Sequence, residues 1–118
     1  MIKTIALTVV VLALVAVAGC GVGPPVTPLN LTVKATAPIT LSWDSDLAAT
    51  SYNIYRGTVS GGISTKTLLA SNFPVGGAYP STTYTDTSAT AGTTYYYQVT
   101  AVNWDIESAA SNEVNATF

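Results

Sequence analysis

The stretch Ala91–Asn103, AGTTYYYQVTAVN, decides the fold. A small-residue turn at Ala91-Gly92 feeds an alternating run. Tyr95, Tyr97, Val99 and Ala101 face one side of a strand, and Tyr96, Gln98, Thr100 and Val102 face the other, because side chains alternate across a pleated chain. No other strand signal in the sequence is as long, so this strand is expected to be central, with partners on both sides.

Upstream, Leu29–Ala35 alternates Leu29, Leu31, Val33 and Ala35 against polar neighbours and reads as a half-buried first strand. Pro38 interrupts it. Ile39–Trp43 presents Ile39, Leu41 and Trp43 on one face, and Ser51–Arg56 presents Tyr52 and Ile54 opposite Asn53 and Tyr55. Asp44–Thr50, Gly57–Gly62 and Ser71–Ser81 are loops by composition. Lys66–Ala70 and Thr83–Thr87 are shorter strands, the latter with Tyr84 inward. Trp104–Ala109 reads as a loop before a last strand at Ser111–Thr117. No part of residues 29–118 has helical periodicity. About seven short strands at regular turn spacing predict an all-β sandwich.

The front of the chain has a different character. Met1-Ile2-Lys3 carries one cation, Ile5–Val17 is almost unbroken apolar sequence, and Ala18-Gly19 are small. That is the layout of a signal peptide over residues 1–19, and it is short for a transmembrane helix, which needs about 20 apolar residues. It also inflates the mean hydropathy of +0.40. Residues 20–28 follow as a Gly/Pro linker, extended and semi-rigid, and residues 29–118 form the domain. Beyond the signal segment, Lys34, Arg56 and Lys66 stand against six Asp and Glu. Such a surface gives no counterion-release drive towards nucleic acid, and none is expected as a partner.

Cys20 is the only cysteine and has no internal disulfide partner. Val17-Ala18-Gly19-Cys20 resembles the lipobox of bacterial lipoproteins: an aliphatic residue, two small residues and a cysteine. The resemblance implies a diacylglyceryl group on the Cys20 thiol, cleavage before Cys20 and an acyl chain such as palmitate on the new amino terminus. More than one chain makes such an anchor stable. By the same resemblance, Gly21 rather than Asp after the cysteine favours the outer membrane in a Gram-negative cell.

Several motifs then fall in a familiar order: Pro25-x-x-Pro-x-Asn-Leu-x-Val33, Ile39-Thr-Leu-Ser-Trp43, Tyr52-Asn-Ile-Tyr-Arg56, Tyr84-Thr-Asp86, Ala91 to Tyr97 through Ala101-Val-Asn103, and Ser111-Asn-Glu-Val114. Together they resemble a bacterial fibronectin type III domain, a seven-stranded immunoglobulin-like β-sandwich. The resemblance implies strands A, B and E in one sheet and C, C′, F and G in the other. It makes Trp43 the strand-B core tryptophan. It makes Tyr95 a tyrosine corner, its hydroxyl bonded to backbone around Ala89. Asn103–Ser108 holds no Arg-Gly-Asp, so integrin-type adhesion is not implied.

Chemistry is sparse. With no histidine, the commonest general base and metal ligand is missing. Asp44-Ser45-Asp46 offers two carboxylates, but calcium takes six or more oxygens, and turn capping is the better reading. Asp105 and Glu107 share one short loop and do not straddle a sugar as a glycosidase pair must. No enzyme activity, metal site or cofactor is expected. The candidate binding residues are Trp104, which could stack on a sugar or insert into a protein partner, and Tyr55 with Tyr96, which could form an aromatic patch on one sheet face. The competing expectation for Trp104 is that it covers the open end of the core or packs on Tyr79 or Ile106. For Tyr55 and Tyr96 it is cross-strand packing. The sequence thus predicts a lipid-anchored envelope protein that presents one interaction module to a protein or glycan, or else serves as a structural spacer or carbohydrate-associated accessory.

Overall fold

The structure is a computed structural model and describes residues 25–73 and 81–118. The expected signal segment (residues 1–19), Cys20 and most of the expected linker (residues 20–28) lie outside the described residues, as does Tyr79. Eight strands form two antiparallel sheets. The first sheet has the order β1 (Thr32–Lys34), β2 (Ile39–Ser42), β5 (Thr83–Asp86). The second has the order β4 (Thr67–Phe73), β3 (Ser51–Gly57), β6 (Tyr95–Asn103), with β6 also pairing β7 (Ile106–Glu107) and β8 (Val114–Ala116). These are the expected A-B-E and C′-C-F-G sheets, with the last strand in two pieces.

The alternation seen in the sequence supplies the core. Ile39, Leu41, Tyr52, Ile54, Tyr97, Val99 and Ala101 are fully enclosed, and Leu31, Trp43, Tyr95 and Ala116 complete the cluster. The Trp43 ring meets Tyr52 edge-on, with centroids 5.2 Å apart, the arrangement aromatic quadrupoles prefer. The tyrosine corner is formed, one residue from the expected place: the Thr90 N–H donates to the Tyr95 hydroxyl at 3.0 Å.

Strand β4 runs on to Phe73, past the expected end at Ala70, and the first and last strands differ from the sequence reading for physical reasons. The first strand is shorter than Leu29–Ala35 because Asn30 takes a φ of 54°. A left-handed residue breaks the two-residue period, so Leu31 turns inward while Leu29 is left exposed. The Trp104–Ala109 loop contains β7, which pairs Glu107 with Val102 and Ile106 with Asn103. Between β7 and β8 the ladder continues irregularly. Ser108 and Ser111 donate their backbone N–H groups to the Ala101 and Val99 carbonyls, both at 2.8 Å. In return, the Ser108 and Ser111 hydroxyls accept from the Ala101 and Val99 N–H groups, both at 2.9 Å. Hydroxyls replace the carbonyls that a regular strand would supply, so the Val99 and Ala101 N–H groups keep acceptors where the ladder is interrupted.

One further side chain acts as backbone. Asn112 accepts from the Leu31 N–H at 3.0 Å and donates to the Leu31 carbonyl at 2.9 Å, joining the segments that lead into β1 and β8, which belong to opposite sheets.

Candidate functional site

Antiparallel registry gathers three chain segments at one end of the sandwich. Thr32 pairs with Ser42 and Ser51 pairs with Val102, so the entry of the chain, the β2–β3 loop and the β6–β7 turn share this end. Seven large apolar side chains are exposed among the described residues, and five of them, Val26, Leu29, Leu47, Trp104 and Ile106, are here. Val26, Pro28, Leu29 and Leu47 line a groove of about 320 Å³ with Asp44 and Asp46 on its rim.

Trp104 sits at the tip. Asn103 pairs with Ile106, so Trp104-Asp105 is a two-residue hairpin turn. Trp104 has a φ of 55°, at a first central position where hairpins normally place Gly, Asn or Asp. Its N–H donates to the Thr50 hydroxyl at 3.1 Å, tying the turn to the β2–β3 loop. The indole itself is 80% exposed. The expectation that it covers the core is therefore corrected: the left-handed backbone and the tight turn aim it into solvent, and Ile106 beside it is exposed too.

The other two candidates lie on the outer face of the second sheet. Tyr55 stands opposite Gln98, and Tyr96 opposite Gly57, so the two tyrosines are diagonal neighbours. Both are half-buried rather than an exposed aromatic patch. The Tyr55 hydroxyl donates to Glu107 Oε1 at 2.6 Å, and Asn53 Nδ2 and Thr100 Oγ1 donate to the same oxygen. Burial pushes the Glu107 carboxyl up, but the bonds from Thr100, Tyr55 and Asn53 outweigh it and hold the group below its ordinary range. A carboxylate fixed as an anion by three donors is a structural clamp, not an acid for sugar chemistry.

Asp44 and Asp46 cap turns, as the residue types suggested. Asn30 Nδ2 donates to Asp44 Oδ2 at 2.6 Å, and the Val26 and Ala48 N–H groups donate to Asp46 at 2.8 and 3.0 Å. Among the described residues, no group of three or more His, Cys, Asp or Glu is placed to hold a metal ion.

A polar network at the opposite end escaped the sequence reading. Asp86 is 1% exposed and accepts from Arg56 Nη1 and the Tyr97 hydroxyl, both at 2.8 Å, and from the Ser88 N–H and hydroxyl at 2.9 and 2.8 Å. The Arg56 guanidinium lies 4.6 Å from the Tyr95 ring centroid. Parity is the signal that could have found it. Arg56 follows Tyr52 and Ile54 at two-residue steps, and Asp86 follows Tyr84, so opposite charges on facing sheets are both aimed inward. Nearby, buried Lys66 pairs with Glu113, which also accepts from Ser60 and the Gly61 N–H.

No model of a known protein family matches the sequence. Individual proteins do. An amylopullulanase of Thermoanaerobacter thermohydrosulfuricus is 47% identical over 93 residues, which is 78% of this chain and 6% of that enzyme. A poly(3-hydroxybutyrate) depolymerase of Ralstonia pickettii is 36% identical over 96 residues, 80% of this chain and 17% of that enzyme. The chain thus spans only a small part of the curated relatives it matches. The crystal structure of an Fn3-like protein from Clostridium thermocellum superposes with a TM-score of 0.67 at 35% identity, covering 80% of this chain and 94% of that one. With sheet order, tyrosine corner and whole-domain identity in agreement, the chain belongs to the fibronectin type III-like (Fn3-like) family.

Proposed function

We propose that this protein is a lipid-anchored component of a bacterial cell envelope, tethered through Cys20, whose Fn3-like domain works as a non-enzymatic interaction module. The observation that carries the anchor is Val17-Ala18-Gly19-Cys20, which puts the only cysteine directly after an apolar segment and just ahead of the domain. The reading of the domain as a non-catalytic module draws on its relatives. Similar stretches occur in proteins named for two different substrates, and they make up 6% and 17% of those proteins. A part common to both supplies something other than either reaction. Labelling growing cells with a fatty acid tests the anchor. Label on the wild-type chain and none on Cys20→Ser is the expected result, and equal labelling of both rejects it.

A second reading, an accessory to carbohydrate breakdown, is favoured by the amylopullulanase likeness. It predicts retention of the protein on an insoluble α-glucan and loss of retention in Trp104→Ala. Tyr55→Ala and Tyr96→Ala test the sheet face in the same assay. Capture of a protein partner in place of glucan supports the first reading.

A further inference from the structure

We propose that the end of the sandwich carrying Trp104 and Leu47 rests on the bilayer that holds the lipid, its apolar side chains entering the interface between headgroups and acyl chains. This deepens the reading of Cys20 as the anchor and rests on it. Three observations carry it.

The first is distribution. Val26, Leu29, Leu47, Trp104 and Ile106 are all more than half exposed, with Leu47 at 92%, and all five are at one end. Single exposed apolar residues need no explanation, whereas a gathering of them marks an interaction surface. Tryptophan in particular is enriched where one side of a residue is apolar and the other wet, as at a membrane interface.

The second is reach. Cys20 and Pro25 are five residues apart, so the tether spans at most about 18 Å. Strand β6 has nine residues, and a strand that long extends about 30 Å. The tether is therefore shorter than the domain. Because the chain enters through the apolar groove at Val26–Leu29, this end stays beside the bilayer while the far end cannot approach it head-on.

The third is charge. Lys34, Arg56 and Lys66 all lie towards the opposite end, since Lys34 and Arg56 are near the ends of β1 and β3 that point away from the tether and Lys66 directly precedes Thr67, the first residue of β4, which pairs with Arg56. The tethered end carries Asp44, Asp46 and Asp105. Contact is accordingly apolar, suits zwitterionic headgroups and gains nothing from anionic ones.

The test uses the protein as expressing bacteria process it, extracted in detergent and reconstituted in phosphatidylethanolamine–phosphatidylcholine vesicles, with brominated acyl chains as quencher. Flotation reports the anchor, and tryptophan emission reports the contact. Trp43 is buried in the core, so the difference between wild type and Trp104→Phe isolates Trp104. The expected result is flotation with loss of the Trp104 emission to the bromolipid and a blue shift of what remains. Leu47→Ser should reduce that quenching, and so should exchange of part of the lipid for phosphatidylglycerol. Flotation with unquenched Trp104 overturns the contact while leaving the anchor intact. Failure to float overturns the anchor and the contact with it. Trp104 emission that ignores bromolipid but responds to soluble malto-oligosaccharide assigns this end to glycan and overturns the proposal, and stronger quenching with phosphatidylglycerol overturns its apolar basis.

Discussion

Replacing Asp86 by alanine should be among the most damaging single changes in the domain, and the structure sets the size of the effect. The carboxylate is 1% exposed and serves three residues on three strands or turns: Arg56, Tyr97 and Ser88. Removing one partner of a buried ion pair typically costs about 3–5 kcal/mol, because the other is left uncompensated. Here the Arg56 side chain is 23% exposed and lies over the Tyr95 ring, so water takes over part of its solvation. Tyr97 is fully enclosed and has no such recourse. The lower end, about 3 kcal/mol, is expected. A domain of this size shifts about 4–8 °C in Tm per kcal/mol, so Asp86→Ala should melt roughly 12–24 °C below wild type. Asp86→Asn keeps the shape and one acceptor and loses the charge-assisted part, about 1.5–3 kcal/mol.

The same group predicts a pH dependence. Burial pushes the Asp86 carboxyl up, but the bonds from Tyr97, Arg56 and Ser88 together hold it below the usual carboxylate range. Its folded value is therefore lower than its unfolded one, near 3.9 for a free aspartate. Its contribution is fully present above about pH 5 and drains away as pH falls through the depressed folded value, because the unfolded chain binds the proton first. Glu107 and Glu113 are displaced in the same direction, Glu113 chiefly by its bond from Lys66. Asp86→Asn should therefore flatten the acid limb of stability without abolishing it. Urea titrations at pH 7 and at pH 3–4 would measure both effects. A loss below about 1 kcal/mol for Asp86→Ala, the level of an exposed pair, would refute the reasoning. So would an acid limb in Asp86→Asn that matches wild type.

Three further substitutions test other parts of the argument. Ser111→Ala removes the acceptor of the Val99 N–H at a site 4% exposed, and urea denaturation should show a loss of about 1–3 kcal/mol. Gly57→Ala would place its Cβ 2.7 Å from the Thr65 carbonyl oxygen, and overpacking against backbone should lower stability by about 1–3 kcal/mol in the same assay. Trp104→Gly should do the opposite. Relieving a left-handed tryptophan recovers about 1–2 kcal/mol, glycine's extra freedom in the unfolded chain takes back about 0.5–1, and Tm should rise by a few degrees in a thermal melt.

The sequence revealed most where one residue type meant one environment. Tyr97, Val99 and Ala101, or Ile39 and Leu41, repeat at two-residue steps and can only be the inward face of half-buried strands. The corner tyrosine was equally readable, because Gly92 and Tyr95 fix a local geometry. What stayed hidden were partners distant in the chain. Nothing local says that Lys66 loses its solvent to Glu113, or that Ser108 and Ser111 stand in for strand carbonyls, because serines in a small-residue stretch also describe an ordinary loop. Trp104 stayed open between two readings, a binding residue or a cover for the core, and only the two-residue turn between Asn103 and Ile106 decides against the cover, because it leaves the indole no core to enter.

That exposure connects with how the domain is held together. Both ion pairs found among the described residues, Arg56–Asp86 and Lys66–Glu113, bind the end away from Trp104. At the Trp104 end the carboxylates of Asp44 and Asp46 are satisfied by neutral N–H donors, and the sheets are joined beneath them by Trp43 against Tyr52. The Asp46 N–H donates to the Tyr52 hydroxyl at 3.0 Å, which seats the β2–β3 loop on that aromatic pair. Leu47 and Trp104 therefore project from loops whose backbones are fixed by hydrogen bonds to Tyr52 and Thr50 rather than by burial of their own side chains. An apolar tip can remain exposed at little cost to the fold when the loops beneath it are secured independently. The same loops would then meet a surface already ordered, so little conformational entropy remains to be lost on contact.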